Sequence, residues 1–230
     1  MLKKHIKLLW NILNSLKNKV CKWEMKKNKN EDFILKRIID IAVSGIGLVI
    51  LFPIFVIIGV LIKLDSMGSL FFIQKRAGKD GKIFRAYKLR TMVDNAVEMG
   101  LGYEIAKDDT RITRIGKHLR WGIDELPQLI NVFKGEMSIV GPRPALPHQV
   151  EKYSKEERRR LEVKPGITGW ALVNGRNILS WPERIKLDIW YIDHRSIWLD
   201  LKILLKTIRV VIFTREGVYG KDGVTRDYER

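Results

Sequence analysis

Residues 38–62 read IIDIAVSGIGLVILFPIFVIIGVLI. The only charge in this run is Asp40, close to its start. A bilayer core is crossed by about 20 apolar residues, so the segment is long enough to enter one. It has no polar face, which argues against a helix buried on one side of a soluble core. Pro53 sits in the middle, where it removes a backbone hydrogen bond and bends a helix. Lys36 and Arg37 precede the run and Lys63 follows it. Basic residues at both ends give no single orientation. Two arrangements therefore stay open: a span with a tolerated proline, and a re-entrant helix that turns at Pro53.

Outward toward the N-terminus, Leu2, Ile6, Leu9, Trp10, Leu13, Leu16, Val20 and Trp23 recur every three or four residues among lysines. This spacing predicts an amphipathic helix with a basic face, suited to an interfacial membrane position or to packing on the core. Residues 26–32 are polar and read as a linker. The expected organisation is an N-terminal unit at 1–32, a main domain at 33–218 and a polar tail at 219–230.

In the other direction the patterning changes. An apolar run at 70–74, turn residues Gly78-Lys79-Asp80-Gly81 and an alternating stretch at 83–89 predict a basic β-hairpin. Residues 95–113 are polar and read as loop, and 115–120 as helix. Helices are expected over 149–161, 180–191 and 198–213, the last amphipathic and basic. Loops are expected around Lys164-Pro165-Gly166 and Asn174-Gly175-Arg176-Asn177. The patterning thus yields a long apolar helix, a hairpin and several short helices.

The chain of 230 residues carries 43 Lys and Arg against 26 Asp and Glu, a formal charge of +17. Such an excess calls for an anionic partner: phosphorylated substrate, anionic lipid or nucleic acid. The single Cys21 excludes an internal disulfide framework and a cysteine-rich zinc site. The four His are scattered, and no phosphate-binding Gly-x-x-x-x-Gly-Lys-Ser/Thr loop is present. In this basic setting Ile123-Asp124-Glu125-Leu126-Pro127-Gln128 places two carboxylates side by side. Pro127 suits the first turn of a helix starting near Asp124. Neighbouring helical positions diverge by about 100°, so one carboxylate is suited to attack and the other to hold a metal. Pro142-Arg143-Pro144 fixes the backbone around an arginine that can grip phosphate.

These stretches occur together with Lys36-Arg37-Ile38-Ile39-Asp40, Tyr87-Lys88-Leu89-Arg90-Thr91-Met92, Lys134-Gly135-Glu136-Met137-Ser138-Ile139-Val140-Gly141 and Lys164-Pro165-Gly166-Ile167-Thr168-Gly169-Trp170. In that order they resemble the bacterial sugar transferases, the monotopic polyprenyl-phosphate phosphoglycosyl transferases, in their minimal single-module form. The resemblance implies transfer of a phospho-sugar from a UDP-sugar to polyprenyl phosphate with release of UMP. It implies Asp124 as the nucleophile that carries the phospho-sugar, Glu125 as a ligand of Mg²⁺, and Arg143 as a phosphate grip. Lys88, Arg90, Arg120, Arg176 and Asp188 are further binding candidates. It also implies an α+β fold, a small membrane-associated domain with a re-entrant helix bent at Pro53, a β-hairpin and several short amphipathic helices, and a bacterial inner-membrane location, with the catalytic domain on the cytoplasmic face. The partners expected are UDP-sugar, polyprenyl phosphate and anionic lipids, with a homo-oligomer possible and nucleic acid set aside. The alternative is a non-enzymatic basic protein that binds membrane or nucleic acid. Phe52 stands where the family often has Ser, and Leu172 where Gln is common.

Overall fold

The computed structural model describes the backbone of residues 2–99, 102, 105–106, 108–214 and 224–225, with side chains for 33–99, 102, 105–106 and 108–211. Helix α1 runs from Leu2 to Asp65 with Pro53 inside it. It continues through residues 26–32, expected as a linker. The expected basic face at residues 2–23 lies outside the described side chains.

From Phe33 to Asp65 the helix is long and apolar enough to cross a membrane, and little of it is buried. Val49, Ile50, Phe52 and Ile57 are all more than half exposed. Such a surface has no place in water, so lipid is its natural solvent. The stretch from Asp40 onward is nevertheless tied to the folded body at both ends. Near its start, the buried Asp40 carboxylate accepts hydrogen bonds from Ser138 Oγ at 3.1 Å and the Ile139 amide at 3.0 Å. At its end, Asp65 Oδ2 accepts from the Ile115 amide at 2.9 Å, capping the start of α2 (Arg114–Leu119). The buried Arg90 guanidinium donates to the carbonyls of Met67 and Ser66, both at 2.6 Å, just beyond the helix end. Cations complement the negative end of a helix, and the arrangement absorbs carbonyls that have no partner within it.

Strands β1 (Phe71–Ala77) and β2 (Ile83–Leu89) form the expected antiparallel hairpin, with Lys75 opposite Arg85. After α2 the chain turns at Gly122, whose φ of +124° suits glycine. Residues Ile123–Gln128 then form a 3₁₀ turn, followed by α3 (Leu129–Lys134). The α-helix expected to begin near Asp124 thus starts five residues later. The carboxylates occupy the tighter turn ahead of it, with Pro127 inside that turn rather than at an α-helical first position. Strands β4 (Ser138–Val140) and β5 (Gly166–Thr168) pair in parallel, where the sequence suggested a loop. Gly141 makes this close approach feasible: a Cβ there would lie 2.5 Å from the Lys164 carbonyl oxygen.

The helix expected over 149–161 is two pieces, α4 (Pro147–Glu151) and a 3₁₀ turn at Glu157–Glu162. Ser154 and Glu157 explain the break. The Ser154 amide donates to Glu157 Oε2 at 2.7 Å and the Glu157 amide to Ser154 Oγ at 3.3 Å. This reciprocal box starts a new turn and so ends the old one. Helices α5 (Trp170–Val173), α6 (Trp181–His194) and α7 (Ile197–Ile208) complete the body. A short strand, β6 (Val224–Thr225), pairs antiparallel with β3 (Ile105–Ala106) inside the 95–113 segment. The core gathers Val140, Val163, Val173, Tyr191, Ile192 and Ile203 behind the parallel pair. Phe84, Ala86, Val132 and Met137 pack between the hairpin and α3.

Candidate active site

Asn131, in α3 directly after the 3₁₀ turn at Ile123–Gln128, ties this segment to β2. Asn131 is fully buried. Its amide donates to the Arg85 carbonyl at 2.7 Å, and its Oδ1 accepts from the Tyr87 amide at 3.2 Å. A buried side-chain amide satisfied by strand backbone fixes the register between two segments. The result puts Lys88 Nζ 2.8 Å from Glu125 Oε1.

Arg143 approaches the same carboxylate as a fork, with Nη2 2.8 Å from Oε1 and Nη1 3.2 Å from Oε2. Its backbone is pinned on every side. The Pro142 carbonyl accepts from the Gly166 amide at 2.9 Å, and the Ala145 carbonyl from the Ala77 amide at 2.9 Å. Arg160 Nη2 donates to the Arg143 carbonyl at 3.2 Å, and Arg76 Nη1 to the Pro144 carbonyl at 3.1 Å. Arg76 is in turn oriented by Gln74, and Arg160 by Asp188 at 2.6 Å. Two buried arginines thus hold the tripeptide while Arg143 extends into the pocket.

That pocket encloses about 370 Å³, and Lys88, Arg120, Asp124, Glu125, Arg143 and Arg176 all line it. Burial alone would raise the Glu125 carboxyl, but the charges of Arg143 and Lys88 overcome it and hold the group well below the usual carboxylate range. Asp124 goes the other way. Burial and repulsion from Glu125 push it up to about 6, against the pull of Lys88, Arg120 and Arg143. Carboxylates driven apart in this way take different chemical roles. Burial also pulls Arg176 below its usual range, with Arg143 and Arg120 adding repulsion. Arg176 further holds a left-handed backbone, φ 51°, after Gly175. Strain of this kind, worth on the order of 1–3 kcal/mol, persists where the surroundings impose it, often at ligand sites. A cluster this rich in cations is completed by a polyanion.

Of the residues singled out from sequence, the structure brings Lys88, Arg120, Asp124, Glu125, Arg143 and Arg176 together. Arg90 also lines the pocket, but its guanidinium is engaged by the carbonyls after α1. Asp188 lies behind the pocket, 2 % exposed, on Arg160. Pro53 lies within α1, away from this wall.

A model of the bacterial sugar transferase family matches residues 31–214. The chain is 44 % identical over 200 residues to the uncharacterized sugar transferase EpsL of Bacillus subtilis (strain 168), covering 84 % of this chain and 95 % of EpsL. The chain belongs to the bacterial sugar transferase family. It is 40 % identical over 200 residues to the undecaprenyl-phosphate glucose phosphotransferase of Komagataeibacter xylinus, covering 81 % of this chain and 37 % of that protein. It is 42 % identical over 186 residues to a UDP-N-acetylgalactosamine-undecaprenyl-phosphate N-acetylgalactosaminephosphotransferase of Aeromonas hydrophila, covering 77 % of this chain and 44 % of that protein. The chain therefore spans under half the length of these last two relatives.

Within this family member, Asn131, Arg76 and Arg160 are the residues that sequence reasoning missed. Asn131 carried a faint signal, an amide between apolar Ile130 and Val132 in a short helix. Nothing in the sequence set Arg76 apart from the other hairpin cations, or Arg160 from Arg158 and Arg159.

Proposed function

We propose that this chain transfers a phospho-sugar from a UDP-sugar to polyprenyl phosphate through a covalent intermediate on Asp124. The observation that carries the proposal is a pair of adjacent carboxylates with opposed ionisation inside a cationic pocket, on a body tied to a lipid-facing helix. An Asp124 carboxylate oxygen attacks the β-phosphorus of the bound diphosphate. The bond from that phosphorus to the bridging oxygen breaks, and UMP leaves with the electron pair. Asp124 then carries the phospho-sugar as an acyl phosphate. A phosphate oxygen of the polyprenyl acceptor attacks the same phosphorus, and the Asp124 carboxylate departs. Splitting one displacement into two lets one pocket serve donor and acceptor in turn. Lys88, Arg120, Arg143 and Arg176 offset the phosphate charge as it builds on the leaving oxygen.

The carboxylate pair fits a hard cation. Among the described residues no group of three or more His, Cys, Asp or Glu is placed to hold a metal. Glu125 would hold Mg²⁺ with substrate phosphate oxygens completing its shell, as this ion commonly requires. Bound there, Mg²⁺ would neutralise charge on the diphosphate.

Asp40 and Asp65 bond to one body from opposite ends of the apolar segment. This supports a helix that enters and leaves by the same face, bending at Pro53, over a span whose ends lie on opposite sides. The catalytic body then rests on the cytoplasmic face of the bacterial inner membrane, where anionic lipid complements its positive charge.

The test is UMP release from a panel of UDP-sugars, with undecaprenyl phosphate and Mg²⁺, by the protein in nanodiscs. The proposal expects release with at least one sugar and its loss in Asp124→Asn. Equal turnover by that variant removes the covalent assignment.

A further inference from the structure

A second cavity lies against α1. It holds about 660 Å³, and its walls are almost wholly apolar. Phe52, Val56, Val60 and Leu64 line it from the helix. They are spaced by four residues and so form one stripe. The opposite wall is Phe71 at the start of β1, with Pro127 and Ile130 from the segment that carries the carboxylates. Two features link this groove to the catalytic pocket. Phe71 lines both cavities. Pro127 belongs to the same 3₁₀ turn as Asp124 and Glu125.

We infer that this groove is the seat of the acceptor's isoprenoid chain, adjoining its phosphate. The inference rests on the transferase reading above and adds where the lipid tail lies. A pocket rich in cations and an almost wholly apolar groove that share a wall residue match one class of molecule. That class has a phosphate head joined directly to a long hydrocarbon chain. A sugar nucleotide has nothing to offer the apolar wall. The groove also opens along the exposed face of α1, where Phe52 and Leu64 are 67 % and 80 % exposed. A lipid can therefore slide in from the bilayer without leaving hydrocarbon. Aromatic and branched walls favour a methyl-branched chain through dispersion contacts.

The reaction has two halves, which separates the groove from the chemistry. UMP release precedes acceptor binding, so it serves as the internal reference. In nanodiscs, Val56→Trp fills the groove and should raise the KM for undecaprenyl phosphate, relative to the rate of UMP release, by about tenfold, the loss expected for displacing one to two buried methylenes. Val49→Trp, on an exposed helix position outside the groove, is the control and should leave that ratio unchanged. An arm independent of turnover uses a diazirine-bearing polyprenyl phosphate. Its label should map to residues 48–64 and 127–130, be displaced by undecaprenyl phosphate, and fall in Val56→Trp. An unchanged KM ratio, or equal labelling of the same peptides by a diazirine phospholipid, overturns the assignment. Selective labelling by a protein that releases no UMP would uphold the groove and remove the transferase reading.

Discussion

Two buried acid–base pairs lie on either side of the Pro142-Arg143-Pro144 loop. In front, Glu125 meets Lys88 and the Arg143 fork. Behind, Asp188 meets Arg160, with Tyr153 and the Trp181 ring beside the guanidinium. The residue types are nearly the same and the environments are not. Glu125 has two cations and is held ionised well below its usual range, whereas burial pushes Asp188 up despite the pull of Arg160 and Arg184. The front pair adjoins a cavity, a second carboxylate and more cations than the two acids balance. The rear pair is 3 % and 2 % exposed by side chain and closed by aromatic rings. An ion pair becomes chemical when a ligand can reach it and charge is left over. Otherwise it positions something else, here the carbonyl of Arg143.

That contrast can be broken at graded cost. The largest effect falls on Asp124→Asn, which should lower UMP release by about 10⁴-fold, as loss of a covalent nucleophile does. The same variant should fold more stably. At pH 7 the wild-type fold holds an ionised Asp124 whose folded pKa, about 6, lies above its ordinary value. Removing that charge is expected to gain about 1–2 kcal/mol, measured by chemical denaturation. Arg143→Lys comes next. It keeps the charge but loses the fork, and kcat/KM for the UDP-sugar should drop by about 10².

The rear pair answers differently. Arg160→Gln leaves Asp188 buried without its cation and should cost about 3–5 kcal/mol of stability. Its effect on turnover should be smaller, about tenfold, and carried by Arg143. In an Arg143→Ala background, Arg160→Gln should therefore change turnover by less than about twofold, the non-additivity expected of residues acting in series. A full tenfold loss in that background would make Arg160 a direct contributor.

The gentlest perturbation is a change of pH close to neutrality. UMP release should have an acid limb near pH 6, where Asp124 protonates, falling about tenfold per unit below it. Stability should move the opposite way for this group. A carboxyl whose folded pKa is raised binds its proton more tightly in the fold, so stability increases as pH falls from about 6 toward 4. Comparing Asp124→Asn with wild type across that range isolates the contribution.

The carboxylate pair, the hairpin and the apolar helix were all legible because each rests on local signals: adjacency, turn chemistry and an unbroken hydrophobic run. The parallel pair β4–β5 was not. Its strands are three residues each, and their pairing depends on glycines from distant parts of the chain meeting at close range. The break in the 149–161 helix was available in Ser154 and Glu157, whose spacing is that of a capping box, but helical periodicity masked it. The site's outer support was the least legible. Arg76 and Arg160 sit in runs of cations that look like a solvated surface, and only tertiary contact turns them inward to the carbonyls of Pro144 and Arg143. The same limit applies to Arg90 and Asp188, which the resemblance nominated for substrate. The fold uses their charge on carbonyls after α1 and on Arg160.

The central claim is that Asp124 itself carries the phospho-sugar. Intact-protein mass spectrometry after incubation with a turned-over UDP-sugar, in the absence of any acceptor lipid, tests it most directly. The account predicts a mass increase of one phospho-sugar, matching the UMP released, mapped to Asp124, discharged by undecaprenyl phosphate and absent in Asp124→Asn. Release of UMP with no adduct, or an adduct that survives in Asp124→Asn, would contradict it.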